Sequence, residues 1–368
     1  MLQAGIVGLP NVGKSTLFNA LTSSHMAEAA NYPFCTIDPN KGIVKVSDPR
    51  LQVLQKLVKT EIVVPSAFEF VDIAGLVKGA SQGEGRGNKF LGSIREVDTI
   101  VHVVRCFEND DIVHVEGGVD SVRDLETIHI ELCLADLDSL ARRMDKLRKQ
   151  SKSGDGDSQS AAELTLFEKV LPSIEAGSVI DRSILYPEEL LLLKRSQLLA
   201  AKPVIYAANV PESDLADPTG NKHFQNLSER AAKEGRLVVP ISAQIESELS
   251  QLEAEEQTEY LESLGVTSSG VDRLIAAAFK TLGLDSYFTA GVKEVRAWPF
   301  PRGSTAPQCA GIIHTDFEKG FIRAEVIAYK EYVACGGEKG AKEKGVMRLE
   351  GRDYLMQDGD VVHFRFNV

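Results

Sequence analysis

The sequence lacks the features that mark a membrane-bound or secreted protein. No apolar run approaches the roughly 18 residues of a membrane span. The first residues contain no basic segment followed by an apolar stretch, so we expect no signal peptide. The five cysteines are widely spaced and include no Cys-x-x-Cys pair, which is typical of reduced thiols in the cytoplasm. These absences predict a cytoplasmic protein that does not bind membranes.

An excess of positive charge is also missing. Lysines and arginines number 41 against 53 aspartates and glutamates, and the net charge is −12. This balance argues against a protein that coats nucleic acid through its global charge, and we expect no sequence-specific DNA binding, although a local basic patch remains compatible. With 43% hydrophobic and 26% charged residues, the 368-residue chain has a globular composition and is long enough for two or three domains.

Residues 8–16 (GLPNVGKST) match the phosphate-binding pattern Gly-x4-Gly-Lys-Ser/Thr. An apolar run of strand length precedes the motif and a helical pattern follows it, which is the context that a chance match lacks. Glycines let backbone N–H groups point at phosphate oxygens. We therefore predict a nucleoside triphosphate site, in which Lys14 reaches the outer phosphates and the Ser15 hydroxyl ligates Mg²⁺. The predicted nucleotide contacts in this loop are Asn11, Val12, Gly13, Lys14, Ser15 and Thr16.

Two further segments have the pattern of nucleotide switches. Thr36 lies in a Pro-rich loop and is a candidate to complete the Mg²⁺ shell when a γ-phosphate is present, the alternative being a turn threonine. Asp72-Ile73-Ala74-Gly75 follows an apolar strand. Asp72 is predicted to support Mg²⁺ through water, and the Gly75 N–H to contact the γ-phosphate.

The residue after this motif is Leu76, where a Ras-like protein carries the glutamine that orients the attacking water. Another group must therefore do that work, or hydrolysis will be slow. The Gly-rich segment 78–88 is a plausible switch. His114, in the polar loop 106–118, is a candidate for orienting water or handling a proton, and the alternative is a loop histidine without a role.

Base recognition is predicted at the end of the apolar strand 202–209. A guanine-specific protein carries Asn-Lys-x-Asp there, and this chain has Asn209-Val210-Pro211-Glu212. The missing Asp carboxylate would accept from guanine N1–H and N2–H₂, whereas adenine offers an acceptor at N1. The substitution favours ATP over GTP, with Asn209, Val210 and Glu212 bordering the base. A second loop is predicted to line the pocket with backbone N–H groups from Ser242, Ala243 and Gln244.

Beyond the nucleotide motifs, periodicity from 121 to about 200 predicts two antiparallel helices joined at a polar tip, with basic residues clustered between 142 and 152. That cluster could meet RNA phosphate or could be a solvated helix face. The acidic stretch 246–262 is typical of a solvated helix. After residue 283, strands are predicted at 294–298, 311–314, 324–328 and 361–366, in a unit that fits a binding module better than a second enzyme.

These motifs in this order closely resemble the YchF family of Obg-like ATPases. The resemblance rests on GLPNVGKST, NYPFCTIDPNKGIV, DIAGLVKGASQGEGRGNKFL and the NVPE variant, while EVRAWPF and AGIIHTDFEKGFIRAEVIAY resemble the family's TGS domain.

The resemblance implies an α/β fold: a GTPase-type P-loop domain with a mostly parallel sheet and helices on both faces, a helical hairpin insertion, and a C-terminal ubiquitin-like β-grasp TGS domain. We place the nucleotide-binding domain at 1–280, the hairpin at about 121–200 and the TGS domain at 283–366. The resemblance also implies ATP hydrolysis in preference to GTP, use of Mg²⁺, and association with ribosomes. Asn11 becomes a candidate K⁺ ligand, and His114 matches the family's proposed loop histidine.

The sequence therefore predicts a cytoplasmic Mg²⁺-dependent ATPase that acts as a ribosome-associated switch, with Lys14, Thr36, Gly75 and His114 in catalysis and Ser15, Thr36 and Asp72 at the metal. The hairpin tip and TGS domain are the predicted ribosome contacts, on the large subunit or the whole particle. Three alternatives remain open: a GTPase with a degenerate base motif, a nucleotide-sensing protein with little turnover, and a small-molecule or nucleoside kinase.

Overall fold

The computed structural model describes residues 2–23, 40–73, 86–153, 157–180 and 182–367. The chain divides into two compact units. The first, called here the N-terminal unit, comprises Met1–Val44 and Glu69–Ala278; the second, the C-terminal unit, comprises Lys45–Phe68 and Phe279–Val368. The domain boundaries predicted from the sequence, 1–280 and 283–366, kept the segment 45–68 within the nucleotide-binding domain. The structure groups this segment with the C-terminal unit.

The strands of the described residues are β1 (Leu2–Val7), β2 (Lys41–Lys45), β3 (Val63–Val64), β4 (Ala67–Asp72), β5 (Thr99–Arg105), β6 (Val204–Asn209), β7 (Leu237–Ile241), β8 (Leu284–Ala290), β9 (Val295–Pro301), β10 (Phe321–Ala328), β11 (Arg348–Glu350) and β12 (Asp360–Phe366).

The α-helices in the same residues are α1 (Lys14–Ser23), α2 (Pro49–Val58), α3 (Arg86–Glu96), α4 (Ser121–Ser153), α5 (Ser158–Glu175), α6 (Pro187–Ser196), α7 (Lys222–Lys233), α8 (Ala243–Leu249), α9 (Ala254–Ser263), α10 (Gly270–Leu282), α11 (Ala306–Ile313), α12 (Thr315–Lys319), α13 (Tyr329–Ala334) and α14 (Glu338–Glu343).

The N-terminal unit is built on a six-stranded sheet in the order β2-β4-β1-β5-β6-β7. The pairs β1–β5, β5–β6 and β6–β7 are parallel. Every residue of β5 and β6 is buried, which explains why these strands are almost continuously apolar in the sequence. Because parallel strands end at the same edge of the sheet, the segments that follow β1, β5, β6 and β7 meet there.

Helices α4 and α5 form the predicted antiparallel hairpin. The 33 residues of α4 correspond to about 50 Å of helix. The hairpin has its own apolar core, which includes Leu140, Met144, Leu147, Leu166, Phe167, Val170 and Ile174. No helix in the described part of the chain combines the length and apolar character needed to cross a membrane.

The C-terminal unit contains a second six-stranded sheet in the order β11-β10-β12-β8-β9-β3. The predicted strand at 311–314 is wrong, because those residues end or follow α11. The helix is specified by a capping box between Thr305 and Gln308, and by Ala306, Cys309 and Ala310, which are buried at helical spacing. On the other face of this sheet, α2 contributes Leu51 and Leu54 to an apolar core that it shares with β8 and β9.

Candidate nucleotide-binding site

The loop between β1 and α1 has the backbone conformation of a phosphate cradle. Gly13 has φ +98°, and a Cβ there would lie 2.4 Å from Asn209 Nδ2. A Cβ on Gly8 would lie 2.5 Å from the Val103 carbonyl oxygen. Asn11 is left-handed at φ +61°. Only glycine fits at the two close approaches, so the glycines of the motif are required by the packing of the loop against β5 and β6.

Asn209 ties the phosphate loop to the loop that follows β7. Its Nδ2 donates to the Val12 carbonyl oxygen at 2.9 Å, and its Oδ1 accepts from the Ala243 N–H at 3.0 Å. The side chain is buried. The sequence placed Asn209 beside the base, and the structure shows it holding the two loops together, with one lone pair of Oδ1 left for a further donor.

Lys14 and Asp72 are the ionisable groups beneath the loop. Lys14 is 8% exposed, and its Nζ donates to the Leu9 carbonyl oxygen at 2.5 Å. Burial lowers the pKa of Lys14 to about 8, and the charge of Asp72 opposes that shift. Burial likewise raises the pKa of Asp72, against the influence of Lys14. Asp72 Oδ1 is buried without a hydrogen-bond partner in the described residues.

Ser15 and Thr16 lie in the first turn of α1 and are exposed, so their hydroxyls are accessible at the mouth of the loop. Asp72 is the last residue of β4, at the strand end where the DxxG pattern placed it. Thr36, Gly75 and Leu76 lie outside the described residues, as does most of the switch segment 78–88.

The predicted base-binding residues follow β6 and β7. Val210 is buried, and its N–H donates to the Ile241 carbonyl oxygen at 2.8 Å. Glu212 is exposed at the start of a 3-10 turn. Ser242 and Ala243 are buried at the start of α8. Gln244 is exposed and bonds Glu248 on the same helix.

His114 is held at both ring nitrogens. Its Nδ1 accepts from the Glu116 N–H at 3.1 Å, and its Nε2 lies 2.8 Å from Asp124 Oδ2. The side chains of His114 and Asp124 are 5% and 3% exposed. The preceding carbonyl, Val113, accepts from Asn11 Nδ2 at 3.1 Å. The histidine loop is therefore bonded directly to the phosphate loop.

Sequence reasoning missed Arg105, which organises the start of this loop. Its side chain is almost fully buried, and its guanidinium donates to the carbonyl oxygens of Phe107, Asn109 and Ile112 at 3.0–3.1 Å. Three carbonyls facing one centre need a multivalent donor, and the arginine fork supplies it. The one available signal was an arginine at the end of a buried strand.

A mostly parallel sheet, a Gly-x4-Gly-Lys-Ser loop leading into a helix, and an aspartate at a neighbouring strand end define a GTPase-type P-loop protein. A family model described as a 50S ribosome-binding GTPase matches residues 3–135. A second model, named for the C-terminal domain of YchF GTPases and described as a protein of unknown function, matches residues 284–367.

Full-length relatives identify the family. The chain is 56% identical over 366 residues to the Ribosome-binding ATPase YchF of Haemophilus influenzae. The match covers 100% of this chain and 99% of the relative. It is 55% identical over 368 residues to the protein of the same name in Bacillus subtilis, with 100% of both covered. The structure of the Schizosaccharomyces pombe YchF GTPase superposes with a TM-score of 0.86 at 38% identity, covering 99% of this chain and 97% of that one. The chain belongs to the YchF family.

Proposed function

We propose that this chain is a Mg²⁺-dependent nucleoside triphosphatase that hydrolyses ATP in preference to GTP and acts as a cytoplasmic, ribosome-associated conformational switch. The observation that carries the proposal is the phosphate loop itself, with buried Lys14 below it and Asp72 at the adjoining strand end. The names of the curated relatives, which describe ribosome-binding ATPases, support the same activity.

The charges under the loop fit a magnesium nucleotide. Asp72 Oδ1 is buried without a partner among the described residues, and a hydrated Mg²⁺ satisfies such an acceptor. Ser15 would hold the ion directly, Asp72 would support it through water, and Thr36 is proposed to complete its shell. When bound, the ion supplies positive charge to the β- and γ-phosphates. Lys14 adds a second positive charge, and the N–H groups of Val12 to Ser15 direct donors at the same oxygens.

Adenine preference follows from the segment after β6. Guanine needs a carboxylate that accepts from two adjacent donors, and this chain has the longer Glu212 on an exposed turn with Val210 where the motif lysine belongs. Val210 and the buried loop at Ser242 and Ala243 are proposed to border the base. Asn209 holds this pocket in place and can accept one further hydrogen bond from the exocyclic amine.

Hydrolysis requires a group that orients water, because Leu76 has no hydrogen-bonding side chain. We assign this work to His114, since its loop is bonded to the phosphate loop through Asn11 and Val113. Asn11 is also the proposed K⁺ ligand, through its side-chain oxygen. Gly75 is proposed to couple loss of the γ-phosphate to the segment that follows it.

Ribosome association is proposed through the hairpin tip and the C-terminal unit. In the basic cluster, Arg143 pairs with Glu163, and Arg148 pairs with Glu168 at 3.0 Å. Lys146, Lys149 and Lys152 are exposed. These lysines are the better candidates for contacts with RNA phosphate, and their joint replacement by glutamate should weaken ribosome binding and reduce its salt dependence.

The test is competition between ATP and GTP for one labelled nucleotide, together with phosphate release measured with and without ribosomes and K⁺. We expect ATP to bind more tightly and ribosomes to raise turnover, with Lys14→Ala as the inactive control. GTP binding at least tenfold tighter than ATP would overturn the adenine assignment. Turnover that stays at background with ribosomes and K⁺ would favour the nucleotide-sensing alternative, and transfer of phosphate to an added acceptor would favour a kinase.

A further inference from the structure

The His114 side chain is fixed by a partner on the hairpin helix. Asp124 lies in the first turn of α4, and its Oδ2 is 2.8 Å from His114 Nε2. Both side chains are almost fully buried, so water does not compete for the bond. The contact joins the loop that follows β5 to the helix that forms the hairpin.

The hydrogen bonds at this pair determine where the imidazole carries its proton. The Glu116 backbone N–H can only donate, so His114 Nδ1 must be its acceptor and carries no proton. In the neutral ring the proton is then on Nε2, which donates to Asp124 Oδ2. Asp124 Oδ1 accepts from Arg123 Nε at 3.1 Å and Nη2 at 2.9 Å, which fixes the carboxylate plane.

We propose that Asp124 is a positioning residue for the ATPase reaction: it sets the tautomer and orientation of His114 and attaches that histidine to the hairpin helix. The inference rests on the function proposed above for His114. A carboxylate that orients an imidazole is a general device in catalysis, because it fixes the tautomer and the plane of the ring. Nε2 stays on Asp124, and Nδ1, which accepts from the Glu116 N–H in this structure, is the nitrogen that would exchange that bond for the attacking water. Since α4 continues for about 44 Å from Asp124 to its last residue, a partner that moves the hairpin would also move this carboxylate.

Asp124→Asn is the sharpest variant, because it preserves shape and removes only the charge and one acceptor. Arg123 donates twice to Oδ1, so the new carboxamide would place its oxygen toward Arg123 and its NH₂ toward His114. That NH₂ would face a protonated Nε2. If the imidazole proton moved to Nδ1, Nε2 could accept from the NH₂ group, but the protonated Nδ1 would then face the Glu116 N–H. Either arrangement loses a hydrogen bond.

The control is Asp120→Asn. Asp120 is exposed one turn earlier, where its Oδ1 caps α4 by accepting from the N–H groups of Val122 and Arg123. Asparagine caps a helix about as well as aspartate, so this variant makes the same change of charge without touching His114.

The first readout is the ¹⁵N spectrum of histidine-labelled, full-length protein. We expect His114 to show a protonated Nε2 and an unprotonated Nδ1 in the wild type and in Asp120→Asn, and a mixture of the two tautomers in Asp124→Asn, where each tautomer keeps one of the two hydrogen bonds. An identical His114 tautomer in Asp124→Asn would overturn the inference, whatever the activity.

The second readout is ATP turnover. We expect Asp124→Asn to lower kcat tenfold or more with KM within twofold of wild type, and to have no further effect in a His114→Ala background. An equal loss in both backgrounds would show a merely structural role and would overturn the inference. Unchanged kcat in His114→Ala alone would instead refute the proposed role of His114, and the tautomer measurement would still decide what Asp124 does.

Discussion

The two units of this molecule differ in how completely their wholly or partly buried charges are paired. In the C-terminal unit, Arg50 is paired with two carboxylates. Asp48 accepts from its Nε and Nη2, and Asp358 accepts from its Nη1 at 2.7 Å. Its guanidinium also lies 4.8 Å from the centre of the Phe288 ring. Burial alone would lower the pKa of Arg50, but hydrogen bonds to the two carboxylates raise it above its ordinary value.

The N-terminal unit leaves its charges incomplete. Lys14 has one backbone acceptor and a pKa lowered by burial, and Asp72 keeps a buried oxygen without a described partner. A buried charge without full pairing costs stability, and such groups concentrate at sites that a ligand completes. The comparison separates a charge network that stabilises the fold from one that the proposed magnesium nucleotide would complete.

The largest effect is expected at Lys14. Lys14→Met should reduce ATP turnover by about 1,000-fold or more, because charge stabilisation on the phosphates is lost. It should also stabilise the nucleotide-free protein, since a pKa of about 8 against 10.5 unfolded corresponds to a cost of about 3 kcal/mol at neutral pH.

The sign of that stability effect is testable by pH. Between about pH 8 and 10.5 the unfolded chain holds the Lys14 proton that the folded protein has released, so wild-type stability should rise through this window. Denaturant unfolding of both proteins across the window measures the difference. The same slope in wild type and Lys14→Met would contradict the account.

Gly13→Ala should weaken nucleotide binding by about 100-fold, because the new Cβ would clash with Asn209 Nδ2 at a φ of +98°. Gly235→Ala is the matched control, since its φ is +64° with nothing within 4 Å of the added Cβ. The control should lose about 1 kcal/mol of stability and no affinity. Equal nucleotide affinity in both variants, measured by titration calorimetry, would argue against a role of Gly13 in shaping the site.

Arg50→Ala should lower the free energy of unfolding by about 2 kcal/mol, because Asp48 and Asp358 would both lose the guanidinium that donates to them. Arg302→Ala is the control. Its pair with Asp285 is formed by a side chain that is 67% exposed and screened by water, so its loss should lower the free energy of unfolding much less than Arg50→Ala does. Neither change should alter ATP affinity. Equal losses of stability in the two variants would contradict the claim that the Arg50 network stabilises the fold more than an exposed ion pair does.

The last effect, which appears only as the pH falls below neutrality, concerns His102, which is buried on β5. Burial lowers its pKa to about 3, and nearby Arg236, His129 and Lys14 act in the same direction. The unfolded chain therefore takes up a proton below about pH 6.5 that the folded protein does not. Stability should fall as the pH drops, by about 2 kcal/mol between pH 7 and 5 from this group. Unfolding at both pH values should show a smaller drop for His102→Leu, and an unchanged drop would disprove the assignment.

Local patterns carried most of the sequence prediction. The phosphate loop and the aspartate that ends β4 were both predictable, since each depends on neighbouring residues. The hairpin was predictable because Leu125, Ile128, Leu132 and Leu140 are buried at helical spacing.

Long-range pairing was not predictable in this way. Residues 45–68 join the C-terminal unit partly through β3, whose partner β9 lies more than 200 residues later in the chain, and no local pattern marks that choice. The acidic stretch from residue 246 was expected to be solvated. Glu246 is instead buried, and it accepts from the N–H groups of Gly270 and Val271 at the start of α10. A distant helix start gives that carboxylate its partners.

The same limit applied to the site. The sequence identified His114 and Asn209 but assigned no partner to either. Asp124 and Val12, which determine how they are held, could be found only from the fold.

The most direct measurement of the central claim is ATP affinity with and without Mg²⁺, compared between wild type and Asp72→Asn. The account predicts that Mg²⁺ tightens binding tenfold or more in the wild type and much less in the variant, while the nucleotide-free variant is at least as stable as wild type. An equal Mg²⁺ dependence in both proteins would contradict the claim that the free oxygen of Asp72 serves the metal nucleotide.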